Sequence, residues 1–137
     1  MAPEDLARLH AAAFTTLRPW SAAEFETLLA SPYVFLAAQP QGFALGRVIA
    51  DEAELLTLAT DPAHRRQGLG RDLLHRYHDT AQQRGATTTF LEVAEDNQPA
   101  IALYHSDGYA IMAQRRDYYR TTQGTRLAAL IMRRALP

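Results

Sequence analysis

The 137-residue chain contains no cysteine, and all fourteen of its basic residues are arginine. The first absence excludes disulfide frameworks, thiolate zinc sites and cysteine nucleophiles. The second excludes any mechanism that depends on a lysine, including the terminal-phosphate contact of a P-loop. Neither sign of charge is in excess, since fourteen cations against fifteen carboxylates leave a net charge of −1. That balance argues against a nucleic-acid binder working by bulk electrostatics. No apolar run approaches the roughly 18 residues of a membrane span, and Met1-Ala2-Pro3-Glu4-Asp5 lacks the basic start of a signal peptide. A cytoplasmic protein with neither a membrane nor a nucleic-acid partner is the expectation. At 47% hydrophobic and 21% charged, the chain suits one globular domain over residues 1–137.

Hydrophobic periodicity orders the elements. Leu6, Leu9, Ala13 and Phe14 recur at helical spacing, which predicts a first helix over about the first fifteen residues, starting near Pro3. Ser21 followed by Glu24 forms a capping box, and Phe25, Leu28 and Leu29 give a second helix that stops before Ser31-Pro32. Tyr33 to Ala38, Phe43 to Ala50 and a run ending at Thr60 follow as short apolar strands separated by turns, an antiparallel meander. Leu69, Leu73, Leu74, Tyr77 and Ala81 then mark one face of a helix that Gly85 terminates. Thr88 to Val93 is the returning strand of a right-handed crossover, so it lies parallel to the strand before the helix. A short helix capped by Asn97 and strands around Tyr109 to Ala113 and Leu127 to Met132 complete the order ααβββαβαββ. The fold class is therefore α/β (α+β), a mixed and mostly antiparallel sheet with helices on its faces.

Between the third strand and its helix lies Arg65-Arg66-Gln67-Gly68-Leu69-Gly70. Glycines there allow backbone N–H groups to approach an anion, and a helix start leaves such groups unpaired at the positive end of the dipole. A dinucleotide-binding fold also opens a helix with Gly-x-Gly, and Glu92 could then bond a ribose. However, Leu73 stands where the third glycine belongs, and three antiparallel strands precede the motif.

Arg/Gln-x-x-Gly-x-Gly/Ala between a strand and a helix is the pyrophosphate loop of the GCN5-related N-acetyltransferase (GNAT) superfamily, which this segment resembles. Asp61-Pro62, Leu91-Glu92-Val93, Asn97, Ala100-Ile101-Ala102-Leu103-Tyr104, Gly108-Tyr109 and Arg115-Arg116-Asp117-Tyr118-Tyr119 are similar to its RimI branch, the ribosomal-protein alanine N-acetyltransferases. The resemblance runs from about Asp51 to Met132. It implies the GNAT fold, with a parallel strand pair that splays apart, and transfer of an acetyl group from acetyl-CoA to an amine. The acceptor it implies is a protein N-terminus, an N-terminal alanine of a ribosomal protein foremost. The alternatives are a small-molecule amine or a non-catalytic acyl-CoA-binding module.

Site residues follow from the resemblance. Arg65, Arg66, Gln67, Gly68, Leu69, Gly70 and Arg71 would hold the coenzyme A pyrophosphate, and Leu58, Ala59 and Thr60 would lend main-chain groups to the pantetheine arm. Asn97 caps its helix and would also bond the arm. Glu92 is the expected general base, with Glu95 as the alternative, and Tyr104 is the expected acid for the leaving thiolate. An α-amino group is about one tenth neutral at pH 7, whereas a lysine amine is neutral well below about one part in a thousand, so a carboxylate base suits a protein N-terminus better. Trp20, Tyr118 and Tyr119 would line the acceptor groove, unless they simply pack in the core. The five histidines, His10, His64, His75, His78 and His105, lack a third ligand at recognisable spacing, and no metal is expected.

The chain departs from the branch in two places. Arg120-Thr121-Thr122-Gln123-Gly124-Thr125-Arg126-Leu127-Ala128-Ala129 replaces an acidic or Asp-Ala segment, which weakens the case for a basic acceptor peptide. Ala94 and Asp96 stand where Arg and Ser are common. Glu92, Glu95 and Asp96 are then expected to cluster near the amine, attracting a cation and strengthening Glu92 as a base.

Overall fold

A capping box starts α2 (Ala22–Leu29): Ser21 Oγ accepts from the Glu24 N–H at 3.2 Å and the Glu24 carboxylate accepts from the Ser21 N–H at 3.0 Å. It follows α1 (Pro3–Ala13), which ends slightly short of the expected fifteen residues. The computed structural model describes residues 1–64 and 67–137. Next come β1 (Val34–Gln39), β2 (Gly42–Ile49) and β3 (Glu52–Thr60), then a single 3-10 turn at Pro62–His64. The chain continues through α3 (Leu69–Gln83), β4 (Thr88–Ala94), α4 (Gln98–Ser106), β5 (Ala110–Arg120) and β6 (Arg126–Ala135). The described strands form one sheet in the order β1-β2-β3-β4-β6-β5. Among them only β3 and β4 pair in parallel, as the crossover requires.

Alternation along β2 divides the core. Phe43 and Leu45 pack with Leu6, Leu9 and Phe25 of the first two helices, whereas Ala44 and Val48 pack with Leu73, Leu74 and Tyr77 of α3. Helices thus cover both faces. Gly46 lies directly beneath Tyr77, whose ring stacks on Phe35 at 5.6 Å and whose hydroxyl bonds Thr89 Oγ1 at 2.7 Å. A Cβ at Gly46 would come within 2.6 Å of Tyr77 Cδ1 and 2.7 Å of Phe35 Cζ.

β5 extends well beyond the expected Tyr109 to Ala113. Gln114 to Asp117 carry no apolar alternation because β5 is an edge strand exposed on both faces, and charged residues at an edge discourage pairing with another chain. The strand is interrupted by a wide bulge: Arg115 pairs with Ala129 and Tyr119 with Leu127, with Asp117 at φ 54° between them.

Two histidines are buried and neutral. His10 is stacked between Phe14 (4.4 Å) and Trp20 (5.0 Å), and its Nδ1 accepts the Trp20 N–H at 3.1 Å, which places the proton on Nε2. In a second network, Arg134 Nη1 donates to Asp107 Oδ2 (2.8 Å) and to His78 Nδ1 (3.3 Å). His78 Nε2–H then reaches the Tyr109 hydroxyl at 2.7 Å. Burial is the main cause that lowers both rings from 6.5 to about 4; Arg18 pushes His10 the same way against Glu24, as Arg134 does His78 against Asp107.

This packing makes stability sensitive to one methyl group and to acid. Gly46→Ala forces Tyr77 or Phe35 from its position at a cost of about 1–3 kcal/mol, so its thermal midpoint should fall by roughly 5 °C or more. As pH drops below 6.5 the unfolded chain takes up protons that native His10 and His78 refuse. The histidine contribution to stability should therefore decline between about 6.5 and about 4. With some screening by water, the loss is on the order of 2 kcal/mol per ring. Urea midpoints measured from pH 7.5 to 4.5 test this, and a flat profile would contradict it.

Candidate active site

β3 and β4 part company at a defined point. Their pairing covers Glu52–Leu55 against Thr88–Leu91 and then stops, although β3 continues to Thr60 and β4 to Ala94. The cause lies on the other side of β3, where Gly46 pairs with Leu55 but Leu45 pairs with Thr57. Leu56 is the extra residue of a bulge, which bends β3 away from β4 and exchanges the faces of the residues beyond it. Hence Leu55 packs with the α3 layer, whereas Ala59, of the same parity, packs with the α1/α2 layer.

The Asp61 N–H bonds Gln41 C=O on the β2 side at 2.7 Å. By the two-residue repeat, Ala59 and Thr57 turn the same way, while the main-chain groups of Leu58 and Thr60 turn toward the gap. A cleft of about 950 Å³ occupies that gap. Leu58, Thr60, Gly68, Asn97 and Tyr104 border it, as do Trp20, Glu92, Tyr119 and Arg120. The cleft therefore brings together residues from both expected subsites. Ala59 itself lies in the apolar layer, and Arg65 and Arg66 lie outside the described residues.

The α3 N-terminus opens onto the cleft. Gly68 takes φ 76°, a left-handed conformation suited to glycine, and a Cβ there would meet nothing within 4 Å. The first bond of α3 runs from the Asp72 N–H to Gly68 C=O (3.0 Å), so the N–H groups of Leu69, Gly70 and Arg71 precede it. Gly70 sits against α4, where a Cβ would lie 3.3 Å from Leu103 Cδ2. The Arg71 side chain turns to α4 instead, with Nη2 donating to Ser106 Oγ at 2.9 Å and Nη1 3.8 Å from Asp107. The exposed Gln67 leads into this turn. N–H groups at a helix start without a partner among the described residues, glycines and an open strand edge fit the pyrophosphate and amide-bearing arm of coenzyme A.

The three expected carboxylates separate. Glu95 turns away, its Oε1 accepting the Ala128 N–H of β6 at 3.1 Å, while its own N–H reaches Ala128 C=O at 3.0 Å. Asp96 is exposed at the cleft border. Glu92 is half-buried, and a cation stands beside it: Arg115 Nη1 lies 3.5 Å from Glu92 Oε1. That guanidinium also covers the Tyr118 ring at 5.3 Å. Burial, followed by the Glu92 charge, pushes Tyr119 up to about 12. Tyr118, at 49% exposure, stands edge-on to Tyr119 at 5.1 Å.

Asn97 caps α4, its Oδ1 accepting the Ala100 N–H at 3.3 Å. Tyr104 is buried further along α4 and still borders the cleft, and burial, with Tyr109 nearby, raises its phenol. Trp20 stacks on His10 and borders the cleft. Sequence reasoning missed Arg115 beside Glu92, because their meeting depends on strand register and on the β5 bulge. It also missed His10 and Phe14 at the cleft wall, where helical spacing signalled only a core face. Among the described residues no cluster of three metal-ligating side chains occurs.

Comparison with known proteins agrees with this architecture. The sequence model of the Acetyltransferase (GNAT) family matches residues 3–109. The chain is 43% identical over 123 residues to the [Ribosomal protein bS18]-alanine N-acetyltransferase of Escherichia coli strain K12, an alignment covering 87% of this chain and 81% of that protein. The crystal structure of the ribosomal-protein-S18-alanine N-acetyltransferase from Escherichia coli superposes with a TM-score of 0.86 at 35% identity, covering 98% of this chain and 87% of that one. The putative acetyltransferase yncA of Salmonella typhimurium, solved with acetyl-CoA, gives a TM-score of 0.72 at 26% identity, over 97% and 84% of the two chains. A strand pair opened by a bulge, a glycine-led helix start in the gap and this kinship make the chain a member of the GNAT acetyltransferase family, an N-acetyltransferase that uses acetyl-CoA.

Proposed function

We propose that residues 1–137 form a single domain that acetylates the N-terminal α-amino group of a protein in the cytoplasm, an N-terminal alanine of a ribosomal protein being the favoured acceptor. The observation that carries this reading is the half-buried Glu92 carboxylate on the β4 wall of the cleft that Tyr104 also borders. A single carboxylate is a competent base for an amine that is already about one tenth neutral at pH 7. The relatives named for the alanine of ribosomal protein bS18 support the choice of acceptor. In keeping with the proposed location, no helix among the described residues is long and apolar enough to cross a membrane.

When bound, acetyl-CoA supplies the acetyl thioester and a thiolate leaving group. The N–H groups of Leu69, Gly70 and Arg71, next to Gly68 and Gln67, would hold its pyrophosphate, and Arg65 and Arg66 would add positive charge. The main chain around Ala59 would hold the pantetheine arm through Leu58 and Thr60, and one of those N–H groups would face the thioester oxygen. Asn97 would add a side-chain contact. Glu92 takes a proton from the acceptor amine, directly or through a water. Tyr104, which burial keeps protonated at neutral pH, gives a proton to the departing sulfur. Trp20, Tyr118 and Tyr119 would border the acceptor backbone.

An acceptor panel at pH 7 with acetyl-CoA fixed tests the acceptor class. Peptides with a free N-terminal alanine should turn over roughly two orders of magnitude faster than N-blocked lysine peptides or polyamines, following the neutral fractions. Equal or faster turnover of the polyamines would overturn the reading. For the residue roles, Glu92→Gln and Tyr104→Phe should each lower kcat by about 10²-fold or more while the KM for acetyl-CoA changes little. Unchanged turnover in both would reduce these residues to packing.

A further inference from the structure

Arg115 opens the segment Arg115-Arg116-Asp117-Tyr118-Tyr119. It lies on β5, two strands away from Glu92 on β4, with β6 between them. Glu92 pairs with Ile131, Ala94 with Ala129, and Arg115 also with Ala129, so Glu92, Ala129 and Arg115 share one face of the sheet. Alanine at 129 is fully buried and offers only a methyl group, which lets the long arginine side chain cross β6 to the carboxylate. A larger residue there would stand in the path. Beyond Arg115 the β5 bulge, with Asp117 at φ 54°, sets Tyr118 beneath the guanidinium and returns Tyr119 to the Glu92 side.

Two other charges nearby have different commitments. Arg18 is bound bidentately to Glu24 at 2.7 and 3.1 Å, and Glu95 is held by the β6 backbone. Among the described residues Glu92 has one ionic partner, at Oε1, which leaves Oε2 for an acceptor. A carboxylate without such a partner, on a strand whose neighbour has splayed away, would sample several rotamers.

We propose that Arg115 is a positioning residue: it fixes the Glu92 carboxylate through Oε1 so that Oε2 meets the acceptor amine, with Tyr118 supporting the guanidinium from below. The inference rests on Glu92 being the base. Arg115→Gln should lower kcat about ten-fold with the acetyl-CoA KM and calorimetric coenzyme A affinity unchanged. Arg115→Lys should recover part of the loss, since an ammonium restores the charge without the planar fork. In a Glu92→Gln background Arg115→Gln should cause no further loss, the signature of two residues acting as one unit. Arg116→Gln, on the opposite face of the same strand, should behave as the parent. Thermal midpoints check folding, and Arg115→Met, which keeps an unbranched aliphatic stem, repeats the measurement if glutamine disturbs the strand. Faster turnover in Arg115→Gln would mean that the arginine masks the base, and an equal loss in the Glu92→Gln background would mean that it acts on the fold; either overturns the proposal. Full activity in Glu92→Gln would instead remove the base assignment itself. Loss in Glu92→Gln without loss in Arg115→Gln would remove this inference alone.

Discussion

The cleft depends on one extra residue in β3. Leu56 has no counterpart in β2, and the parallel pairing with β4 ends at the residue before it, Leu55 against Leu91. Continued pairing would consume the main-chain groups of Leu58 and Thr60 and bring Glu92 against β3. The bulge leaves those groups without a strand partner, at a cost that can be recovered by a ligand able to complete the ladder. It also reverses the faces of β3, so that Ala59 seals the α1/α2 layer while Leu58 turns to the α3/α4 layer where Gly70 and Leu103 meet. One local irregularity thus creates both the gap and its walls.

The proposed acyl-donor half of the candidate site is local, and its structural features are legible in the sequence. Gly68 and Gly70 mark a helix start by their identity, Asn97 marks a cap, and the strand before the loop is named by its position. The element order is equally readable, since helix and strand periods differ and Ser21-Glu24 and Gly85 punctuate them. The bulge at Leu56 is not readable. The run Leu55-Leu56-Thr57-Leu58 lacks a clean alternation of apolar and polar residues, so it suits a strand with or without an extra residue.

Wherever two distant segments meet, the signal is lost. Apolar patterning carries β5 only as far as Ala113, since the edge position that permits Gln114 to Arg120 to be strand is a property of the sheet. Three acidic residues close together in sequence suggest a cluster at Glu92, yet Glu95 is used to tie the end of β4 to Ala128. The charge beside Glu92 is positive and comes from Arg115 on the far side of β6. Whether His10 packs or solvates likewise depends on Phe14 and Trp20 closing over it from both sides.

The acceptor end is assembled from those distant segments. The α1–α2 connection and the β5–β6 turn face each other across the cleft and touch where the Thr122 N–H donates to Thr16 C=O at 2.9 Å. Trp20 comes from the first segment, while Tyr119 and Arg120 end β5 just before the turn, so the proposed acceptor contacts combine a loop with the tip of the edge hairpin. Loops tolerate substitution better than a packed sheet does. The segment Arg120 to Ala129, which stands where the resembling branch carries an acidic or Asp-Ala segment, lies at the tip of this hairpin. On the proposed assignment the donor half rests on main-chain geometry that few sequences can alter without losing the fold, whereas the acceptor half can be retuned by side chains alone. A single bulged sheet can therefore keep one acetyl donor while the identity of the amine is set at the cleft mouth.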